Sequence, residues 1–254
     1  MTTLHTEVHG QGQDLVMIHG WGVNSAAFSP LYELLTEYRV HYVDLPGFGL
    51  SQPEGNTLDD WVDLLMQQMP DRAIWAGWSL GGLVATQAAL RYPERVSALI
   101  TIASSPCFMQ QDSWPGIAPK VLAQFSEQLC QDPAKTIERF LAIQAMGSAT
   151  AKEDIRQIRT QVLARPLPDN QALALGLMML QQVDLRSQLH AITQPWLRCW
   201  GRLDALVPNR VISQMPALPN SKDWTLAKAS HAPFISHTQE FATGLKSWLA
   251  NLLG

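Results

Sequence analysis

The sequence predicts an α/β architecture: a mostly parallel central sheet flanked by helices, with a helical insertion between core strands. Two patterns carry the prediction. Short apolar runs alternate with stretches of helical period, as in a sheet covered on both sides. Between about Pro106 and Leu189 the strand-like runs stop, and they resume at Trp196.

Leu15-Val16-Met17-Ile18 is continuous and apolar, as in a strand buried on both faces, and it ends in the turn His19-Gly20-Trp21-Gly22. A helix is expected from about Ala26 to Glu37. A strand follows at Val40-His41-Tyr42-Val43, closed by Pro46-Gly47-Phe48-Gly49. Thr57 is placed to cap a helix running to about Met69, with Asp59 and Asp60 in a first turn that favours carboxylates. Ala73-Ile74-Trp75-Ala76 reads as a strand, Leu80 to Arg91 as a helix stopping before Pro93, and Val96 to Ile102 as a strand. Inside the insertion, helical stretches are separated by Pro133, Gly147, Pro166 and Pro168. Trp196 to Trp200 and Trp224 to Leu226 restore the strand signal, and an amphipathic helix runs from about Gln239 to Leu252. The expected organisation is one core, residues 1–105 and 190–254, with a helical lid at 106–189.

Composition narrows the function classes. A chain of 254 residues with 46% hydrophobic and 16% charged content is too apolar for disorder. The net charge of −4 argues against a bulk basic field for nucleic acid. No apolar run approaches the ~20 residues that span a bilayer, and the first residues lack the basic start and apolar core of a secretory signal. Cys107, Cys130 and Cys199 are odd in number and widely spaced, so buried free thiols in a cytoplasmic protein are expected. No metal, nucleotide or flavin motif is present, and neither a cofactor nor a metal site is expected.

The chemistry concentrates at three turns. Gly77-Trp78-Ser79-Leu80-Gly81 matches Gly-x-Ser-x-Gly and lies between a strand and a helix, the context this motif requires. Its glycines allow a sharp turn that stands Ser79 Oγ exposed above the sheet, at a helix N-terminus. The alternative is a structural serine in a tight turn. A serine hydroxyl needs a base. His231, in Ala229-Ser230-His231-Ala232-Pro233-Phe234 after the last strand, is placed for that role. His237 is expected to begin the final helix, His19 to shape its loop, His5, His9 and His41 to lie off the rim, and His190 to lie near the end of the insertion. Asp204, directly after a strand, completes the order Ser…Asp…His, with Asp184 as its rival. Main-chain N–H groups of Leu80 and Trp21 are the expected oxyanion donors, although the Trp21 indole also suits a hydrophobic plug. From these residues alone the reading stops at a serine hydrolase with a lidded pocket. Esters, thioesters, lactones and carbon–carbon bonds stay open, as does a hydrolase-fold binding protein without catalysis.

Together His19-Gly20-Trp21-Gly22, Asp44-Leu45-Pro46-Gly47-Phe48-Gly49, Gly77 to Gly82, Asp204 and His231 resemble the α/β-hydrolase superfamily over essentially the whole chain. The stretches Ile74 to Ala85, Ala103 to Phe108, Trp114 to Ile117, Glu138 to Gln144 and Ala229 to His237 are similar to the pimeloyl-[acyl-carrier protein] methyl ester esterase family of biotin synthesis. The resemblance implies a carboxylesterase with substrate contacts at Trp21, Ser79, Leu80, Phe140, Leu141, Ala142, Ile143, Gln144 and His231. Phe140, Leu141, Ile143 and Met146 form an apolar stripe at helical spacing, which equally suits core packing. Lys135 and Arg139, and Lys152 and Arg156, lie four apart with Arg159 three further on, a basic face suited to an acidic acyl carrier protein or to plain solvation. The expected partner is that carrier protein bearing pimeloyl methyl ester; no nucleic acid or membrane partner is expected, and the protein is expected to be a monomer.

Overall fold

The computed structural model describes residues 3–146 and 150–253. Seven strands form one sheet in the order β1-β3-β2-β4-β5-β6-β7, where β1 is Thr6–His9, β2 Gln13–Ile18, β3 Tyr38–Val43, β4 Ala73–Trp78, β5 Val96–Ile102, β6 Trp196–Gly201 and β7 Ser221–Leu226. Only β1 runs antiparallel, on the edge beside β3. The buried middle strands read as apolar runs because both faces are covered: every residue of β4 and of β6 is buried. β1 was not expected from the sequence. It pairs on one side only and none of its residues is fully buried, so Thr6-Glu7-Val8-His9 carries no apolar run.

Helix α1 is Leu58–Gln68, α2 Leu80–Arg91, α7 Pro233–Ser236 and α8 Thr238–Leu253. α1 begins with a capping box: Thr57 accepts from the Asp60 amide, and the Asp60 carboxylate accepts from the Thr57 amide. The helix expected from Ala26 to Glu37 is instead a 3₁₀ segment, Ser25–Leu34, with Pro30 inside it. Proline has no N–H to give an α-helical ladder, and the tighter turn tolerates it better. The step from β2 to β3 runs opposite to the step from β4 to β5. Right-handed crossovers therefore place the 3₁₀ segment and α2 on opposite faces of the sheet. The same reversal opens a crevice beyond the C-terminal ends of β2 and β4, where α/β sheets place their ligands.

Among the described residues, four α-helices lie between β5 and β6: α3 (Pro119–Gln131), α4 (Pro133–Gln144), α5 (Ala151–Val162) and α6 (Asn170–Gln182). Pro133 starts α4 at its first turn, and Pro166 and Pro168 fall between α5 and α6. Gly147, expected as a break, lies outside the described residues. Among the described residues, no helix is long and apolar enough to cross a membrane.

Candidate active site

β4 runs straight into Ser79, whose backbone sits at φ 54°, ψ −119°, and α2 begins at the next residue. A non-glycine residue at positive φ is strained and is held only by its surroundings. The surroundings here are close. A Cβ on Gly77 would run into the Gly81 carbonyl, and one on Gly81 into the Ile18 carbonyl. Ser79 N donates to Ile102 O at 3.0 Å, and Ser104 Oγ donates to Ser79 O at 2.8 Å. The hydroxyl is thereby aimed from the N-terminal end of a 12-residue helix.

Ser79 Oγ lies 2.9 Å from His231 Nε2, and His231 Nδ1 lies 2.7 Å from Asp204 Oδ2. An ionised carboxylate only accepts, so Nδ1 carries the proton and Nε2 is left to accept from the serine hydroxyl. Asp204 is oriented in turn by the amides of Leu206 and Val207, which donate to its other oxygen at 2.8 and 2.9 Å. Asp184 engages Arg186 instead, which pulls its carboxyl below the usual carboxylate range. Of the other histidines, His19 bonds Gly20 O in its own loop and accepts from Leu45 N in the loop after β3, with burial holding it below its ordinary pKa. His41 contacts Asp14, and His5 and His9 lie near Glu7. His190 is in the 3₁₀ segment Arg186–Ala191, and His237 contacts Ser236 Oγ just before α8 rather than within it.

The sequence placed Ser79 Oγ in the open, and the structure corrects this. Ser79 is 1% exposed and His231 0%, because inserted helices roof the crevice. Trp21 is part of that roof: its indole N–H donates to Leu173 O on α6 at 2.8 Å, and its ring meets Phe140 on α4 edge-on at 4.8 Å. Among the described residues, no hydrogen bond engages the main-chain N–H of Trp21 or of Leu80. Both residues are fully buried; Leu80 follows Ser79 directly, and Trp21 follows Gly20, where an added Cβ would lie 3.2 Å from Ser79 Cβ.

Along α4, Phe140 and Leu141 are buried, Ile143 is half-buried and Ala142 is exposed, and Met146, just beyond the helix, is exposed. Gln144 is buried with neither end of its side-chain amide partnered among the described residues, while its main-chain carbonyl accepts from His231 N and Ser230 Oγ. The basic residues all reach the surface. Lys135 and Arg139 line a depression of about 570 Å³ with Gln128 and Thr136. Arg139 also donates to Gln128 and lies over the Phe125 ring. Arg156 pairs with Glu153 on its own helix, and Arg159 reaches Glu138 on α4, joining the two basic segments. Cys107 and Cys199 are buried, whereas Cys130 is exposed on α3, against expectation. The α3 helix packs on other inserted helices and leaves one side to solvent.

Two supports of the site were invisible in the sequence. Trp78 Nε1 donates to His231 O at 2.8 Å across 153 residues, and Ser104 braces the elbow from the end of β5. Neither position carries a local signal, since both act through partners distant in the chain.

The model of the α/β-hydrolase fold matches residues 15–238, so the chain is a member of that family. The solved esterase from Exiguobacterium antarcticum superposes with TM-score 0.86 at 25% identity, covering 98% of this chain and 96% of that one. The enol-lactonase from Burkholderia xenovorans LB400 shares the fold at 20% identity, TM-score 0.84, 98% of this chain and 97% of its own. Much nearer are proteins named pimeloyl-[acyl-carrier protein] methyl ester esterase. One from Shewanella sp. (strain MR-7) is 67% identical over 97% of this chain and 94% of its own, and one from Photobacterium profundum 53% over 98% and 99%. The chain belongs to the family of pimeloyl-[acyl-carrier protein] methyl ester esterases.

Proposed function

We propose that the protein is a serine carboxylesterase that converts pimeloyl-[acyl-carrier protein] methyl ester to pimeloyl-[acyl-carrier protein] and methanol in biotin biosynthesis. The observation that carries the chemistry is the hydrogen-bonded chain Ser79–His231–Asp204. Ser79 Oγ attacks the ester carbonyl as its proton passes to His231 Nε2, and Asp204 stabilises the imidazolium. The carbonyl oxygen becomes an oxyanion facing the N–H groups of Trp21 and Leu80. Collapse expels methanol, which takes the proton from His231. Water then attacks the acyl-enzyme with His231 as base, and the free pimeloyl carboxylate leaves. The scheme requires neither metal nor cofactor.

The substrate side falls to the insertion. Because Ser79 is buried, the roof moves to admit substrate. Phe140, Leu141 and Ile143 offer an apolar sleeve for the seven-carbon chain, with Ala142 at its outer edge. Gln144, with an unpartnered buried amide, is suited to a polar group of the substrate. Outside, Lys135, Arg139, Lys152 and Arg156 form a docking face for an acidic carrier protein. The protein acts in the cytoplasm as a monomer. Mass spectrometry of carrier-bound pimeloyl methyl ester incubated with the protein tests the reading. Loss of methyl with the thioester intact supports it. An unchanged substrate, or a cleaved thioester, overturns it.

A further inference from the structure

Helix α6 lies directly on Trp21 and Leu80, the two residues proposed above as oxyanion donors, and it does so at a glycine. Gly176 is buried in mid-helix. A Cβ built on it would meet Trp21 Cδ1 at 2.8 Å and Leu80 Cδ2 at 3.0 Å. The leucine methyl can swing away. The indole cannot, because its N–H is bonded to Leu173 O one turn earlier on the same helix, and Phe140 stands against its ring. Glycine is disfavoured inside a helix relative to alanine, because it has more backbone freedom to lose. Its neighbours Ala172, Leu173, Ala174 and Leu175 are all strong helix formers, so position 176 has a local reason to lack a side chain.

We infer that Gly176 is a positioning residue for the oxyanion hole: by admitting the Trp21 indole and the Leu80 side chain against the α6 backbone, it sets where their two main-chain donors stand. The inference rests on the oxyanion reading of Trp21 and Leu80 given above. Such donors act only within a few tenths of an ångström of their best distance from the developing charge. A methyl at 176 would press on the ring and shift the Trp21 backbone with it. The loss falls on the transition state, since the ground-state ester is held by its acyl chain.

The test is Gly176→Ala, assayed on a small methyl ester, with active sites counted by a fluorophosphonate and folding checked by thermal melting. The kcat per active site is expected to fall about 10-fold or more, short of the 10²–10³ for deleting a donor outright. KM should stay within about twofold, and phosphonylation of Ser79, whose phosphoryl oxygen enters the same hole, should slow by the same factor as kcat/KM. A merely structural glycine would lower the yield of folded protein and leave the kcat of each labelled site unchanged. Trp21→Phe provides a second arm. It keeps the main-chain donor, removes the tie to Leu173, and should lower kcat too. The double variant should then be no worse than the more damaging single, because both break one clamp. An unchanged kcat in folded Gly176→Ala overturns the inference, as does full multiplication of the two effects. If Gly176→Ala does not fold, an unchanged kcat in Trp21→Phe overturns it alone. Failure of the native protein to hydrolyse any methyl ester would instead remove the esterase reading itself.

Discussion

The core and the insertion hold the same site by different means. In the core, Ser79 sits at a strained φ of 54° and is fixed by glycines packed against carbonyls, by its own N–H donating to Ile102 O of β5, and by Ser104 Oγ donating to its carbonyl. The insertion is held by apolar side chains such as Phe140 and Leu173 packed into the shared core, and by a few polar ties. Trp21 Nε1 reaches Leu173 O, Asn24 reaches Val162 O, and Ser230 Oγ reaches the carbonyls of Gln144 and Met146. Arg165, just beyond α5, reaches into the core to pair with the wholly buried Asp44 and with Glu7. Burial pushes the Asp44 carboxyl up, but the His19 ring and the amides of Leu50 and Ser25 hold it below the usual carboxylate range. A sheet locked by sterics keeps atoms in place through a reaction. The roof meets the core through side-chain packing and separable hydrogen bonds, contacts that an opening motion can break and remake. The nucleophile, base and acid therefore lie in the core, the insertion covers them, and the proposed assignment of substrate choice to the insertion predicts a different kinetic signature for each half.

The largest effect is expected in the core. Ser79→Ala should abolish ester hydrolysis, a loss on the order of 10⁶ in kcat if triad members act as a unit as they do in subtilisin. Because they act together, adding His231→Ala to Ser79→Ala should cost little more than either alone. Removing Oγ from a buried site takes away one hydrogen-bonding atom and little packing, so the melting temperature should stay close to native. Near-native turnover in Ser79→Ala would place the nucleophile elsewhere.

Next comes the acid. Asp204→Asn keeps the shape but favours the wrong imidazole tautomer, and kcat should fall on the order of 10⁴ by analogy with trypsin. Asp184→Asn, whose carboxylate is occupied by Arg186 within the insertion, should leave kcat nearly unchanged. The reverse ranking in steady-state kinetics would move the acid from the core to the insertion and break the division.

What the sequence made legible follows the same division. The elbow could be read because its requirements are local: a serine in strained geometry needs small neighbours, and Gly77 and Gly81 stand at the right offsets. Asp204 and His231 could be read because each follows a strand, and parallel strands deliver such loops to one rim. Local rules failed where tertiary contact decides. Ser79 looked exposed because its cover comes from a segment distant in the chain. The Trp78–His231 bond, the Gln144 carbonyl under the His231 loop and the glycine at 176 obey no short-range pattern. β1 was missed because an edge strand has no apolar run to announce it.

Two predictions probe the insertion. Phe140 packs against Trp21 on one side and Phe125 on the other, 5.5 Å away, and is proposed to line the acyl sleeve as well. Phe140→Ala should lower kcat/KM for pimeloyl methyl ester about 10-fold more than for an acetyl ester, since a side chain of that size contributes roughly 1.5–3 kcal/mol of burial. Equal losses on both substrates would leave Phe140 as packing alone.

The smallest effect is expected at the surface of the insertion. Arg139 and Arg156 are exposed, and neither touches the triad. Arg156 is already paired with Glu153, but an exposed pair of that kind is weak, so its charge remains available to an acidic partner at little cost. Reversing both to Glu should raise KM for carrier-bound substrate several-fold and flatten its dependence on salt, because attraction between exposed charges is screened beyond about 10 Å at 0.1 M ionic strength. The kcat on a small free methyl ester should hold, since that ester enters without the docking face. If both substrates respond alike, the change has disturbed the roof through the Phe125 ring beneath Arg139. If neither responds, the basic face is only solvated, and selection for the carrier-bound ester rests with the sleeve around Phe140.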